Sequence, residues 1–78
     1  MPYYYILDLH GQTVDSAGKI LTRTLNSLPH DVREMEVIHG FHQGDALKKF
    51  VRNYKNKRIE KKIVGLNQGS TIFIIRKQ

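Results

Sequence analysis

The chain has 78 residues, no cysteine and a formal net charge of +6. That length accommodates one domain with an adequate but small core, and the missing cysteine excludes disulfides and thiolate metal sites. The longest apolar run, Ile72 to Ile75, is far too short to span a bilayer. Met1-Pro2 reads as a native start and not as a signal peptide, so a cytoplasmic, membrane-free, monomeric protein is expected.

The first strand is predicted over about Tyr3–Leu9, an aromatic and aliphatic run that stops at His10-Gly11. Successive strand residues point to opposite faces, so Tyr5, Leu7 and Leu9 share one face and Tyr4, Ile6, Asp8 and His10 the other. Asp8 and His10 are thereby brought side by side. Thr13 is a good N-cap for a first helix, Asp15 suits its dipole, and Val14, Ala17, Leu21, Leu25 and Leu28 form one apolar stripe. Gly18 within that stripe is expected to mark a close approach to the sheet. Pro29-His30-Asp31 stops the helix.

A second strand, about Arg33–Ile38, alternates Glu34 and Glu36 with Met35 and Val37, and ends at His39-Gly40. The echo of His10-Gly11 is the strongest internal signal in the chain. The loop Phe41-His42-Gln43-Gly44 leads to Asp45 as N-cap of a second helix, whose buried face is Leu47, Phe50, Val51 and Tyr54. Asn56-Lys57-Arg58 links to a third strand around Ile59–Leu66. Asn67-Gln68-Gly69 reads as a hairpin turn into a last strand, Ser70–Arg76. Ile72-Phe73-Ile74-Ile75 is apolar on both faces, which places that strand centrally.

The order β-α-β-α-β-β gives a right-handed βαβ crossover with parallel strands, closed by an antiparallel hairpin in a mixed sheet. Both His-Gly pairs then lie at one sheet edge beside both helix N-termini, where anions and ligands commonly bind. The positive charge is local. Residues 48–62 hold Lys48, Lys49, Arg52, Lys55, Lys57, Arg58, Lys61 and Lys62 against Glu60 alone. A solvated face is the ordinary meaning of such a run, but its position beside the second His-Gly favours a polyanion, nucleic acid before membrane.

These residues resemble the Smr (small MutS-related) domain family. Leu7-Asp8-Leu9-His10-Gly11 is similar to its first motif, Ile38-His39-Gly40 with Gly44 to its His-Gly-x-Gly loop, and Asn67-Gln68-Gly69-Ser70-Thr71-Ile72 to its glycine-threonine turn. The resemblance covers about Tyr4 to Arg76. It implies an α/β two-layer sandwich with sheet order 1-2-4-3 and both helices on one face, similar to the C-terminal domain of translation initiation factor 3. It also implies DNA or RNA binding and, in many members, endonuclease activity, with Asp8, His10, Gly11, His39 and Gly40 as the matching positions. The chain departs from the family at His42, where a glycine is usual.

Two functions follow. As a phosphodiesterase, His10 and His39 would supply acid and base, since imidazole titrates near neutrality. Asp8 would orient a ring, or hold a water or a divalent metal such as Mg2+, although no ligand spacing identifies a metal. Gly11, Gly40, His42 and Gly44, with Lys48, Lys49, Arg52, Lys55 and Arg58, would contact the phosphates. As a non-catalytic DNA- or RNA-binding module, the chain would use the same loops and cations without cutting. A protein-interaction role for Tyr3 to Tyr5 and an uncovered sheet face is a third reading.

Overall fold

The computed structural model describes residues 4–40, 45–65 and 68–77. The order is β1 (Tyr4–Asp8), α1 (Val14–Ser27), β2 (Glu34–Ile38), α2 (Ala46–Asn53), β3 (Ile59–Val64) and β4 (Ser70–Ile75). The strands form one sheet in the order β1-β2-β4-β3, with β1 and β2 parallel and the other pairs antiparallel. A mixed, two-layer α/β domain was the expected architecture. Tyr3 and Leu66 of the expected strands, and Asn67 of the turn, lie outside the described residues.

Alternation along the strands divides the sheet into a packed and an open face. Met35 and Val37 of β2 and Phe73 and Ile75 of β4 are buried with Ala17, Leu21 and Leu25 of α1 and Val51 of α2, so both helices close one core. The opposite face carries Tyr4, Ile6, Glu34, Glu36, Ile72 and Ile74, of which none is fully buried. No described helix is long and apolar enough to cross a membrane.

Thr13 caps α1 as its sequence predicts. Its hydroxyl accepts from the Ser16 amide, and Ser16 Oγ accepts from the Thr13 amide, a capping box completed by serine in place of the usual Glu or Gln. Other expectations need correction. Val14 is exposed, because the apolar stripe turns inward only from Ala17. Gly18 meets the other helix and not the sheet: a Cβ there would lie 3.1 Å from Phe50 Cζ, so the missing side chain lets α2 approach. Asp45 occupies the N-cap of α2 in a helical conformation, and its side chain makes no capping bond.

Two cations of the 48–62 run serve the helix ends. Arg58 Nη1 donates to the Leu25 carbonyl at 3.0 Å, in the last turn of α1. Lys62 Nζ donates to the Arg52 and Tyr54 carbonyls at the end of α2 and lies 5.8 Å from the Phe73 ring centroid. Each satisfies helix carbonyls that lack an intrahelical partner and places positive charge at the negative end of the dipole. Burial pulls the Lys62 ammonium below its usual range.

This arrangement predicts unequal roles for neighbouring cations. Arg58→Ala should lower unfolding free energy by about 1–2 kcal/mol through the lost carbonyl contact. Lys57→Ala, at an exposed position, should stay within about 0.5 kcal/mol of the parent. Urea unfolding of the two variants checks the difference.

Candidate functional site

Parallel pairing fixes what the two His-Gly pairs can do. The β1–β2 register sets Asp8 opposite Ile38, and the Leu9 amide donates to the Ile38 carbonyl at 2.7 Å. Continued one and two residues, that register puts Leu9 beside His39 and His10 beside Gly40. Leu9 and His39 therefore turn toward the core, and both are buried. Asp8 and His10 turn to the open side. The two histidines share an edge, as expected, but face away from one another across the sheet.

Asp8 and His10 form a tight, solvent-facing pair. His10 Nδ1 lies 2.6 Å from Asp8 Oδ1, and the His10 amide donates to the same oxygen at 3.0 Å. An ionised carboxylate only accepts, so Nδ1 carries the proton and Nε2 is left outward. The bond from the His10 ring, with the amide bond second, holds the Asp8 carboxyl below its usual range. The histidine side chain remains 70% exposed, so substrate can reach Nε2. A carboxylate that fixes the tautomer of an accessible imidazole is the orienting half of a general-base site.

His39 is built differently. Its Nδ1 sits 3.0 Å from the Gly40 carbonyl and its Nε2 3.1 Å from Thr71 Oγ1. The carbonyl only accepts, so Nδ1–H donates to it and Nε2 accepts from the Thr71 hydroxyl. Burial is the main cause that lowers its pKa, and Arg52 and Lys48 add repulsion, so the ring is neutral near pH 7. Both nitrogens are occupied within the fold.

The loops around the histidines are shaped by backbone need. Gly11 and Gly40 have φ of +82° and +77°, a region that side chains disfavour. A Cβ on Gly40 would come only to ordinary contact with His10 Cβ, 3.5 Å away, so conformation is what requires glycine there. The Gly69 carbonyl accepts from both the His39 and Gly40 amides at 2.9 Å. Those two N–H groups are consequently engaged by the β4 turn. At α1, the capping box uses the Thr13 and Ser16 amides and Asp15 adds negative charge, which disfavours an anion.

The helix α2 supplies the free cations. Lys48 and Arg52 lie at i and i+4 on it, Lys49 is exposed beside them, and Lys55 stands two residues past its end at Asn53. None of them is paired with a carboxylate among the described residues, whose ion pairs are His10–Asp8 and Lys19–Asp15. The Nε atom of Arg52 is buried and, like that of Arg58, has no hydrogen-bond partner among the described residues. Arg58 is committed to Leu25 and stands apart from this group. His42 and Gly44 lie outside the described residues. No group of three His, Asp or Glu among the described residues could hold a metal ion, and Asp8 with His10 make only two donors, one already bonded to the other.

Thr71 and Gly69 were legible as part of the glycine-threonine turn, but not as the residues that hold His39 and its loop. A threonine on the buried side of a strand otherwise apolar was a legible signal that some polar partner awaits it. The carbonyl of Gly69 left no sequence signal.

The family model described as Smr domain matches residues 7–71. The crystal structure of the Smr domain of Thermus thermophilus MutS2 is similar in fold, with a TM-score of 0.82 at 23% identity over 92% of this chain and 98% of that one. No curated protein matches the chain.

The inward His39 predicts a pH dependence of stability. Its folded-state pKa is lowered from the usual 6.5, so below about pH 6.5 the unfolded chain binds more protons than the folded one. Stability should be full above that value and fall as pH drops through it. Urea midpoints compared between about pH 7.5 and 5.5 should show this decline. His39→Gln should reduce it, and His10→Ala should leave it in place.

Proposed function

The chain belongs to the Smr domain family, known generally for nucleic-acid binding, and from that premise we propose an endonuclease whose chemistry lies at Asp8 and His10. The observation that carries the reading is the 2.6 Å contact between Asp8 Oδ1 and His10 Nδ1, which leaves Nε2 facing solvent. In this reading the basic stripe of α2 holds the phosphates of DNA or RNA. Nε2 of His10 takes the proton from the attacking oxygen, a water or a ribose hydroxyl. The phosphorus–oxygen bond to the leaving group breaks, and that oxygen leaves with a proton from solvent or a second side chain. Asp8 stabilises the imidazolium that forms and keeps its ring in place.

Lys48, Lys49, Arg52 and Lys55 stabilise negative charge that grows on the phosphate. Gly11 and Gly40 give the backbone its path around the edge, and His42 and Gly44 belong to the loop proposed to meet the phosphate. His39 acts through position: its bonds to Thr71 and Gly40 hold the second loop, and its occupied nitrogens make it a poor acid or base. Mg2+ is tested directly in the assay, because the Asp8–His10 donors alone do not make a metal site.

A second reading, a binding module without cleavage, is favoured by that same inward turn of His39, which leaves His10 as the accessible imidazole of the described part of this sheet edge in place of two. Nuclease-free protein incubated with matched single-stranded RNA, single-stranded DNA and branched DNA, with and without Mg2+, separates the readings. Cleavage of any one supports the enzyme; binding without cleavage supports the module.

Where cleavage is seen, His10→Ala should slow it by about 10²- to 10⁴-fold with the unfolding midpoint unchanged. Asp8→Asn should slow it less, since it disturbs ring orientation and removes no proton acceptor. Unchanged cleavage by His10→Ala removes that residue from the mechanism.

Binding makes a separate prediction. Affinity should fall steeply with salt as neutralised phosphates release counterions. Reversing Lys48, Lys49 and Arg52 to Glu should weaken all sequences about equally and flatten that salt dependence, measured by fluorescence anisotropy. A salt-independent affinity would contradict the assigned contact face.

A further inference from the structure

The two outer strands of the sheet are protected unequally. The edge strand β3 carries a register irregularity between Ile59 and Lys61 and the charged residues Glu60, Lys61 and Lys62. Bulges and lysines are the devices by which sheet edges avoid pairing with other chains. Ile63 and Val64 are exposed there, on a strand so guarded.

The edge strand β1 has neither device. Its sequence Tyr-Tyr-Ile-Leu-Asp has no lysine, arginine, proline or irregular pairing, and its charge stands only at the end. Tyr4, Tyr5 and Ile6 are consecutive and 42%, 37% and 57% exposed. They make up half of the exposed large apolar side chains among the described residues.

The backbone direction on β1 follows from one bond. Leu9 donates its amide to Ile38 of β2, so Leu7 and Tyr5 also turn their backbone groups toward β2. Tyr4, Ile6 and Asp8 turn theirs outward, where no described strand lies. This edge therefore offers donors and acceptors in β-strand register together with apolar side chains on both sides.

We propose that β1 pairs antiparallel with β1 of a second copy of this chain about a twofold axis at Ile6, giving one continuous eight-stranded sheet. In that register Ile6 exchanges both backbone hydrogen bonds with its twin. Tyr4 stands beside the partner's Asp8, and Tyr5 beside the partner's Leu7. No like charges oppose one another, and apolar side chains meet on both faces. The strand is thus complementary to itself, with no lysine or arginine to select an acidic peptide. Five residues on each side make a short interface, so the dimer is reversible and dependent on concentration. This state replaces the monomer expected from sequence. It brings a second copy to within a strand's width of the Asp8–His10 pair, and it does not depend on whether that pair cuts nucleic acid.

Sedimentation equilibrium over a wide range of protein concentration tests the proposal. The parent should move reversibly from one chain mass to two. Ile6→Pro removes an outward amide that β2 does not use, and Ile6→Lys adds the guard found on β3; both should remain monomeric while keeping their far-ultraviolet circular dichroism. Because the chain has no cysteine, Ile6→Cys gives a second readout. Its backbone separation across the twofold, about 5.5 Å for a hydrogen-bonded pair, permits a disulfide, so oxidation should yield a covalent dimer. Ile63→Cys, at the other edge of the open face, should not. A parent that stays monomeric throughout overturns the proposal, as does a dimer that persists in both Ile6→Pro and Ile6→Lys. Equal cross-linking through the Ile63→Cys variant also overturns it, by pointing to face-to-face packing.

Discussion

Alternation along two parallel strands is the constraint from which the rest of this structure follows. Leu7 and Leu9 must face the helices for the small core to close, and strand geometry then sends Asp8 and His10 the other way. A slip of one residue would bury the carboxylate and the imidazole and expose both leucines. Hydrophobic burial is worth about 2 kcal/mol or more for each such leucine. The hydrogen-bonded pair is thus held outward by the core residues that alternate with it. The same parity, carried through the register to β2, turns His39 inward, so one rule gives two histidines opposite fates.

The basic segment shows a comparable division of labour. As composition it is one block of charge, but the fold separates it by what each side chain reaches. Arg58 and Lys62 reach back to carbonyls at the ends of α1 and α2, while Lys48 and Arg52 on α2, and Lys55 just beyond it, have no carboxylate partner among the described residues. Charge that neutralises helix ends is structural and charge that is left over is available to a polyanion. The distinction depends on which carbonyls lie within reach, and no count of lysines contains it.

Much of this fold was readable from residues alone. The element order, the Thr13 cap and the contact between Asp8 and His10 follow from neighbours within a few positions, and the parallel first pair and the central place of β4 follow from crossover handedness and the apolar run Ile72 to Ile75. The failures depend on distant partners. Gly18 was legible as a close approach, but only the packing of α2 reveals Phe50 as the neighbour. Val14 belonged to the right helical stripe and lay beyond the reach of the sheet. The inward turn of His39 needed the β1–β2 register and a threonine thirty-two residues away. Asp45 has the residue type of a cap, whereas its backbone angles withhold the capping bond.

The uneven attachment of the strands has a kinetic side. The strands β3 and β4 meet through a short turn, and β2 is clasped between β4 and β1. Among the described residues β1 has a single strand neighbour, and four of its five residues are exposed; it docks only when the chain closes the whole α1 crossover. Local hairpins form faster than such long closures, and the least buried element opens at the lowest cost. Asp8 and His10, two residues apart, travel together through such an opening. Their alignment with Gly40 does not survive it. The hydrogen-bonded pair is therefore a local property of the chain, while its placement beside Gly40 lasts only for as long as one strand stays zipped to the sheet.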